Sequence, residues 1–182
     1  MSKIDVHHHV YSTAYASDRE LRQSIVVKTA ILSHTYPGPT VKKDPHEAAA
    51  LARELDMFSV KVRDLNPEHY GFFASIPSPA ETELCLAEIR YALDELHADG
   101  VVFMTRLGDD NHYLGHADFI SVWQELNARR AVVFTHTTSA VGFTQVNASP
   151  PLPMMDYPHE SARAAMDLIL SDRLRLHASL KI

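Results

Sequence analysis

With 182 residues, 46% hydrophobic and 22% charged, the chain fits one globular domain over residues 1–182 with a sizeable core. A formal charge of −6 without a basic cluster argues against nucleic-acid and anionic-membrane partners, and the single cysteine, Cys85, excludes an internal disulfide framework and any Cys-rich zinc module. No apolar run approaches the roughly 20 residues of a membrane span, and the opening MSKIDVHHH lacks a signal-peptide core, so a soluble, cytoplasmic protein of the cytosol is expected.

Apolar, β-branched runs recur at residues 3–7, 25–33, 70–76, 100–105 and 131–136, with a weaker one at 174–182. Short continuous runs of this kind suit strands buried on both faces of a parallel sheet. Helical patterns lie between them. Asp44-Pro45-His46-Glu47 and Ser78-Pro79-Ala80-Glu81 each offer an N-cap residue, Pro at the first position and Glu at the third. After the second start, Leu86, Ile89, Leu93 and Leu96 make an apolar stripe, with Gly100 beyond its end. Phe119, Val122, Trp123 and Leu126 form another, and Ala162, Ala165, Met166 and Ile169 a third, all read as core packing. Cys85 lies beside the first stripe and reads as packing, not as a nucleophile.

Alternating β and α elements imply parallel strands joined by right-handed crossovers. An open doubly wound sheet and a (β/α)₈ barrel both satisfy that pattern. No Gly-rich phosphate loop follows the first run, which weakens a nucleotide-binding sheet. A barrel typically takes ~250 residues, and this chain supplies five βα units and the start of a sixth strand. A barrel here is therefore an incomplete one. A sheet stopped at that point leaves edges unpaired, so low stability or self-association into a homo-oligomer is expected if no further chain follows.

The chain carries 12 histidines, and their positions are informative. In Ile4-Asp5-Val6-His7-His8-His9-Val10, side chains alternate across a strand, so His7 and His9 project to one side and His8 to the other. At the C-terminal mouth of a barrel strand that side is the interior. Two neutral imidazoles there make half a metal site; a chance polar loop is the plain alternative. His136 closes the run Ala131-Val132-Val133-Phe134-Thr135-His136; alone it reads as a satisfied core or rim histidine, and together with His7 and His9 it supplies a third ligand from another part of the ring. The loop from Arg106 to His116 holds His112 and His116. It reads either as a solvated loop or as a substrate-facing lid in which Arg106 engages a carboxylate. No lysine lies between Lys61 and Lys181, so a two-metal barrel bridged by a carboxylated strand-four lysine is excluded. Thr105 and Arg106 occupy that strand end, and one metal ion is the simpler expectation.

Several segments resemble the amidohydrolase-related carboxy-lyases. They are Ile4-Asp5-Val6-His7-His8-His9, Lys28-Thr29-Ala30-Ile31-Leu32-Ser33, Tyr70-Gly71-Phe72-Phe73-Ala74-Ser75, the stretch from Gly108 to His116, and Asp156-Tyr157-Pro158-His159-Glu160. Within that family the chain is most similar to the fungal 6-methylsalicylate decarboxylases. The resemblance implies an α/β, TIM-like (β/α) barrel with one divalent metal, usually Zn2+, held by His7, His9 and His136. It implies non-oxidative decarboxylation of a small aromatic carboxylic acid such as 6-methylsalicylate, giving m-cresol and CO2, in polyketide or secondary metabolism. The family's strand-six His and strand-eight Asp would lie beyond Ile182, and His177 falls before that strand. The chain is also shorter than the family near residues 11–25. Two further readings stay open: a truncated, inactive family remnant, and a metal-dependent hydrolase on the same barrel.

Overall fold

The computed structural model describes residues 3–9, 27–107, 112–138, 147 and 149–182. The shortened region near 11–25 and the tip of the Arg106–His116 loop lie outside the described residues. Five strands form one parallel sheet: β1 (Lys3–His9), β2 (Val27–Ser33), β3 (Tyr70–Ser75), β4 (Gly100–Met104) and β7 (Val133–His136), in the spatial order β1-β2-β3-β4-β7. Two short strands, β5 (Arg106–Leu107) and β6 (His112–Tyr113), pair antiparallel as a separate hairpin after β4. The helices are α1 (Pro45–Leu65), α2 (Thr82–Asp94), α3 (Ile120–Ala128), α4 (Leu152–Leu170) and the short α5 (Arg173–Leu176).

Every residue of β3 and β4 is buried, as two-sided cover of a parallel sheet requires. Strand alternation sorts their side chains. Leu32, Phe72, Val101, Phe103 and Val133 pack with the helices, where Ile89, Trp123 and Leu126 complete the main core. Ile31, Phe73 and Val102, with Val132 and Phe134, form a second cluster on the other face. There the Phe73 and Phe134 rings stack at 5.7 Å although β4 separates their strands. The sheet is curled around this inner cluster, as in a barrel wall.

The Asp44 cap is as predicted: its carboxylate accepts the Glu47 N–H at 2.9 Å, with Pro45 opening α1. The second capping pattern is corrected. Ser78 instead closes a turn, its carbonyl accepting the Glu81 N–H at 3.0 Å, and α2 starts at Thr82 without a side-chain cap. The strand expected at 174–182 is also corrected. Residues Arg173–Leu176 are helical, and only Lys181 pairs, in parallel with Val132. Lys181 thus adds a single bridge beside β7.

The stripes on α2 and α3 are largely core, and Cys85 is fully buried, its thiol pushed up by desolvation. The stripe on α4 is not core. Met166 and Ile169 are half exposed, while Glu160, Ala164 and Leu168 carry the helix's buried face. Periodicity located an apolar stripe there but not what the stripe packs against.

Candidate metal centre

The sheet's first and last strands supply the centre. His7 and His9 come from the end of β1 and His136 from the end of β7. Their imidazole nitrogens converge: His7 Nε2 lies 3.1 Å from His9 Nε2, and His9 Nε2 lies 3.2 Å from His136 Nε2. One nitrogen from each ring falls within 4.8 Å of the other two. Tetrahedral zinc with bonds of 2.0–2.1 Å places its ligand atoms about 3.3 Å apart. The His7–His9 and His9–His136 separations match that spacing, so the donor set fits one ion.

The electrostatics suit a cation as well. Burial pushes the His9 imidazole down to about 4, helped by the neighbouring His136 and His7 rings. Burial also lowers His136, outweighing the Thr137 carbonyl that favours its charged form. Both rings are therefore neutral at pH 7, as metal ligands must be. His136 Nδ1 donates to that carbonyl at 2.9 Å, which leaves the Nε2 lone pair facing the other histidines. The Thr35 hydroxyl sits 3.3 Å from His136 Nε2.

A cavity of about 630 Å³ opens over the three rings. Phe134, edge-on to His7 at 5.1 Å between ring centres, forms part of its lining. Helix α4 forms the opposite wall with Pro153, Tyr157, Pro158 and Ser161, and the Ser161 hydroxyl meets Thr137 Oγ1 at 2.8 Å. That volume suits a small organic ligand.

His8 points away from the centre, buried and bonded to Asp5 at 2.9 Å. Arg106 lies on the β5–β6 hairpin and is not among the cavity-lining side chains described. The loop histidines His112 and His116 stack on each other at 3.9 Å, and His116 caps the short helix before α3. His177 is buried, with Nδ1 3.0 Å from the Arg173 carbonyl, in a packing role. Thr35, Phe134 and Ser161 were not anticipated. Thr35 follows β2 by two residues, and strand-end position was the signal available for it.

Three converging histidines at the C-terminal ends of parallel strands, on a curled sheet, are the arrangement expected of a metal-dependent barrel enzyme. The amidohydrolase family model matches residues 4–182, and the chain belongs to that family. A 6-methylsalicylic acid decarboxylase of Aspergillus aculeatus is 47% identical over 201 aligned positions, covering 99% of this chain and 61% of the relative. Another, from Penicillium expansum, is 43% identical, covering all of this chain and 63% of the relative. The chain thus spans about three-fifths of the length of the curated relatives it matches. Among solved structures, a dihydroxybenzoic acid decarboxylase from Polaromonas with bound manganese superposes with a TM-score of 0.80 at 17% identity, covering 100% of this chain and 64% of that one. That likeness shows the fold: the five parallel strands are the first part of a TIM-type barrel.

Proposed function

We propose that this chain forms the metal-binding part of a non-oxidative decarboxylase acting on a small aromatic acid such as 6-methylsalicylate. His7, His9 and His136 would hold the ion, with zinc favoured by an all-imidazole donor set and an open fourth position. The observation that carries the reading is the convergence of three imidazole nitrogens from opposite ends of the sheet. The named activity of the two fungal relatives supplies the reaction class. The family resemblance of the sequence would further place the work in secondary metabolism. No helix among the described residues is long and apolar enough to cross a membrane.

When bound, the ion would draw in the carboxylate and the adjacent phenol oxygen and stabilise negative charge developing there. The rest falls to the chain. His136 is held in its ligand tautomer by the Thr137 carbonyl. Phe134, Tyr157 and the two prolines of α4 give the cavity apolar walls that suit a planar ring and limit water. In the reaction the ring–carboxylate bond breaks, its electron pair stays on the ring carbon, CO2 leaves and one proton replaces it. The family's strand-eight Asp, the acid expected for that proton, has no counterpart before Ile182.

The test uses the tag-free 182-residue protein with Zn2+ and 6-methylsalicylate, following m-cresol by chromatography. Turnover abolished by His7→Ala supports the reading. A folded, zinc-loaded protein without turnover refutes activity for this chain and leaves metal binding as its property.

A further inference from the structure

Strand β1 is not regular where it carries the ligands. It pairs with β2 at Asp5↔Ala30 and again at His8↔Leu32, so Val6 and His7 stand opposite Ile31 alone. This is a β-bulge, an extra residue that leaves a backbone group unpaired, and such bulges are rare between parallel strands. The bulge also changes which side chains can meet. In a regular strand, positions i and i+3 face opposite sides, yet Asp5 Oδ2 and His8 Nδ1 are 2.9 Å apart. The other carboxylate oxygen, Oδ1, accepts the His7 backbone N–H at 3.0 Å. One side chain therefore satisfies the amide inside the bulge and anchors the buried ring just beyond it.

We propose that Asp5 is a positioning residue that clasps this bulge and thereby sets His7 and His9 at the separation a metal ion requires. On β2 an extra residue, Lys28, precedes the bulge between the Lys3↔Val27 and Ile4↔Thr29 pairs, so the two irregularities offset and His8 and His9 keep the register of Lys3. Without the clasp, the regular alternative has Val6 opposite Ala30 and His7 opposite Ile31. That relaxation would move the His7 backbone relative to His9 and change the separation of their rings. Both carboxylate oxygens are thus engaged within β1 itself.

The inference rests on the reading of the three histidines as metal ligands, and the experiment separates the two. Co2+ is titrated into the full chain, read by its visible absorption and by competition with a coloured chelator. Wild type and His136→Ala come first; a wild type that binds no better than His136→Ala overturns the metal reading and the clasp with it. Given binding, Asp5→Ala should lose about 10–100-fold in Co2+ affinity, the usual effect of removing a group behind the ligands, and its cobalt band should shift. Asp5→Asn keeps an oxygen for the His7 amide and should recover most of that loss. His8→Ala, which removes one attachment, should fall between wild type and Asp5→Ala. The unfolding midpoint of each metal-free variant is measured in parallel. Wild-type affinity and band in Asp5→Ala overturn the proposal, even where its midpoint drops, because a merely structural residue would behave that way. If Asp5→Ala does not fold, wild-type binding in both Asp5→Asn and His8→Ala overturns it.

Discussion

Helices α1 and α2 are joined by an ion pair whose two ends differ sharply in exposure, and that difference predicts an asymmetric response to mutation. Arg53 Nε and Nη2 donate to the two oxygens of Glu88 at 2.8 and 2.7 Å, and the guanidinium lies 3.3 Å above the Tyr91 ring. The Glu88 side chain is 5% exposed, that of Arg53 39%. Arg53→Ala strands a buried carboxylate, which costs about 3–5 kcal/mol. It also leaves Glu88 facing Asp56, a second buried acid whose charged form Glu88 already disfavours. Glu88→Gln instead leaves a guanidinium with access to water, and the loss should be about 1–2 kcal/mol after that hydration is counted. Replacing both by apolar groups, Arg53→Met with Glu88→Leu, should return to within about 1 kcal/mol of wild type. Urea unfolding followed by fluorescence reports this directly, because the chain's only tryptophan, Trp123, is buried in the core. With slopes of about 1–3 kcal/mol/M, Arg53→Ala should lower the midpoint by at least about 1 M. An Arg53→Ala protein as stable as Glu88→Gln, or a double variant as unstable as Arg53→Ala, would refute the reasoning.

Asp56 is fully buried, and desolvation pushes its carboxyl well up despite the Ser75 N–H it accepts at 2.7 Å. A raised acid contributes most below its unfolded value of about 3.9 and loses that contribution as pH rises through the folded value. Asp56→Asn keeps the oxygen that Ser75 needs, so its stability relative to wild type should grow from pH 4 to pH 8 in urea titrations; a pH-independent difference counts against this. Trp123 Nε1–H donates to the Leu114 carbonyl at 2.8 Å inside the core. Trp123→Phe should cost about 1–3 kcal/mol from that orphaned carbonyl, measured by circular dichroism, and a smaller loss would mean that water replaces the indole. Zn2+ at a hundredfold excess over its dissociation constant should stabilise the protein by about 2.7 kcal/mol in a thermal melt, and His136→Ala should remove that gain.

The histidine cluster was legible because its members obey two simple rules, strand-end position and alternation. The structure reaches the same pairing of His7 and His9 by a less regular route. Alternation alone puts Asp5 on their side, whereas the bulge brings Asp5 to His8, and no residue type in Ile4–Val10 announces an extra residue in a parallel ladder. The helix caps divide in the same way. Asp44 and Ser78 head the same motif, but only Asp44 caps, since Ser78 is drawn into a tight turn with Glu81. Local patterns also say nothing of partners far along the chain. Phe134 reads as one more strand residue until the curl of the sheet brings it to Phe73 and His7. Tyr157 stood out only by resemblance, and its place on the cavity wall comes from how α4 crosses the strand ends.

The separation of His9 from His136 is set by the whole sheet. These residues are 127 positions apart and belong to the strands at opposite ends of the order β1-β2-β3-β4-β7, yet their nitrogens lie 3.2 Å from each other. Flat strands spaced by about 4.8 Å would hold them roughly 19 Å apart. Closing that gap requires the curl, and the curl is supported by the inner cluster of Ile31, Phe73, Val102 and Phe134 beneath the histidines. Core and centre are therefore coupled: side chains that fill the inner face set the ligand spacing, and an ion bridging β1 to β7 would in turn hold the sheet's ends together. Ligand binding free energy in such a site is also folding free energy. For that reason a smaller residue at Phe73, one layer beneath the rings, would act on a bound metal through the curvature of the sheet.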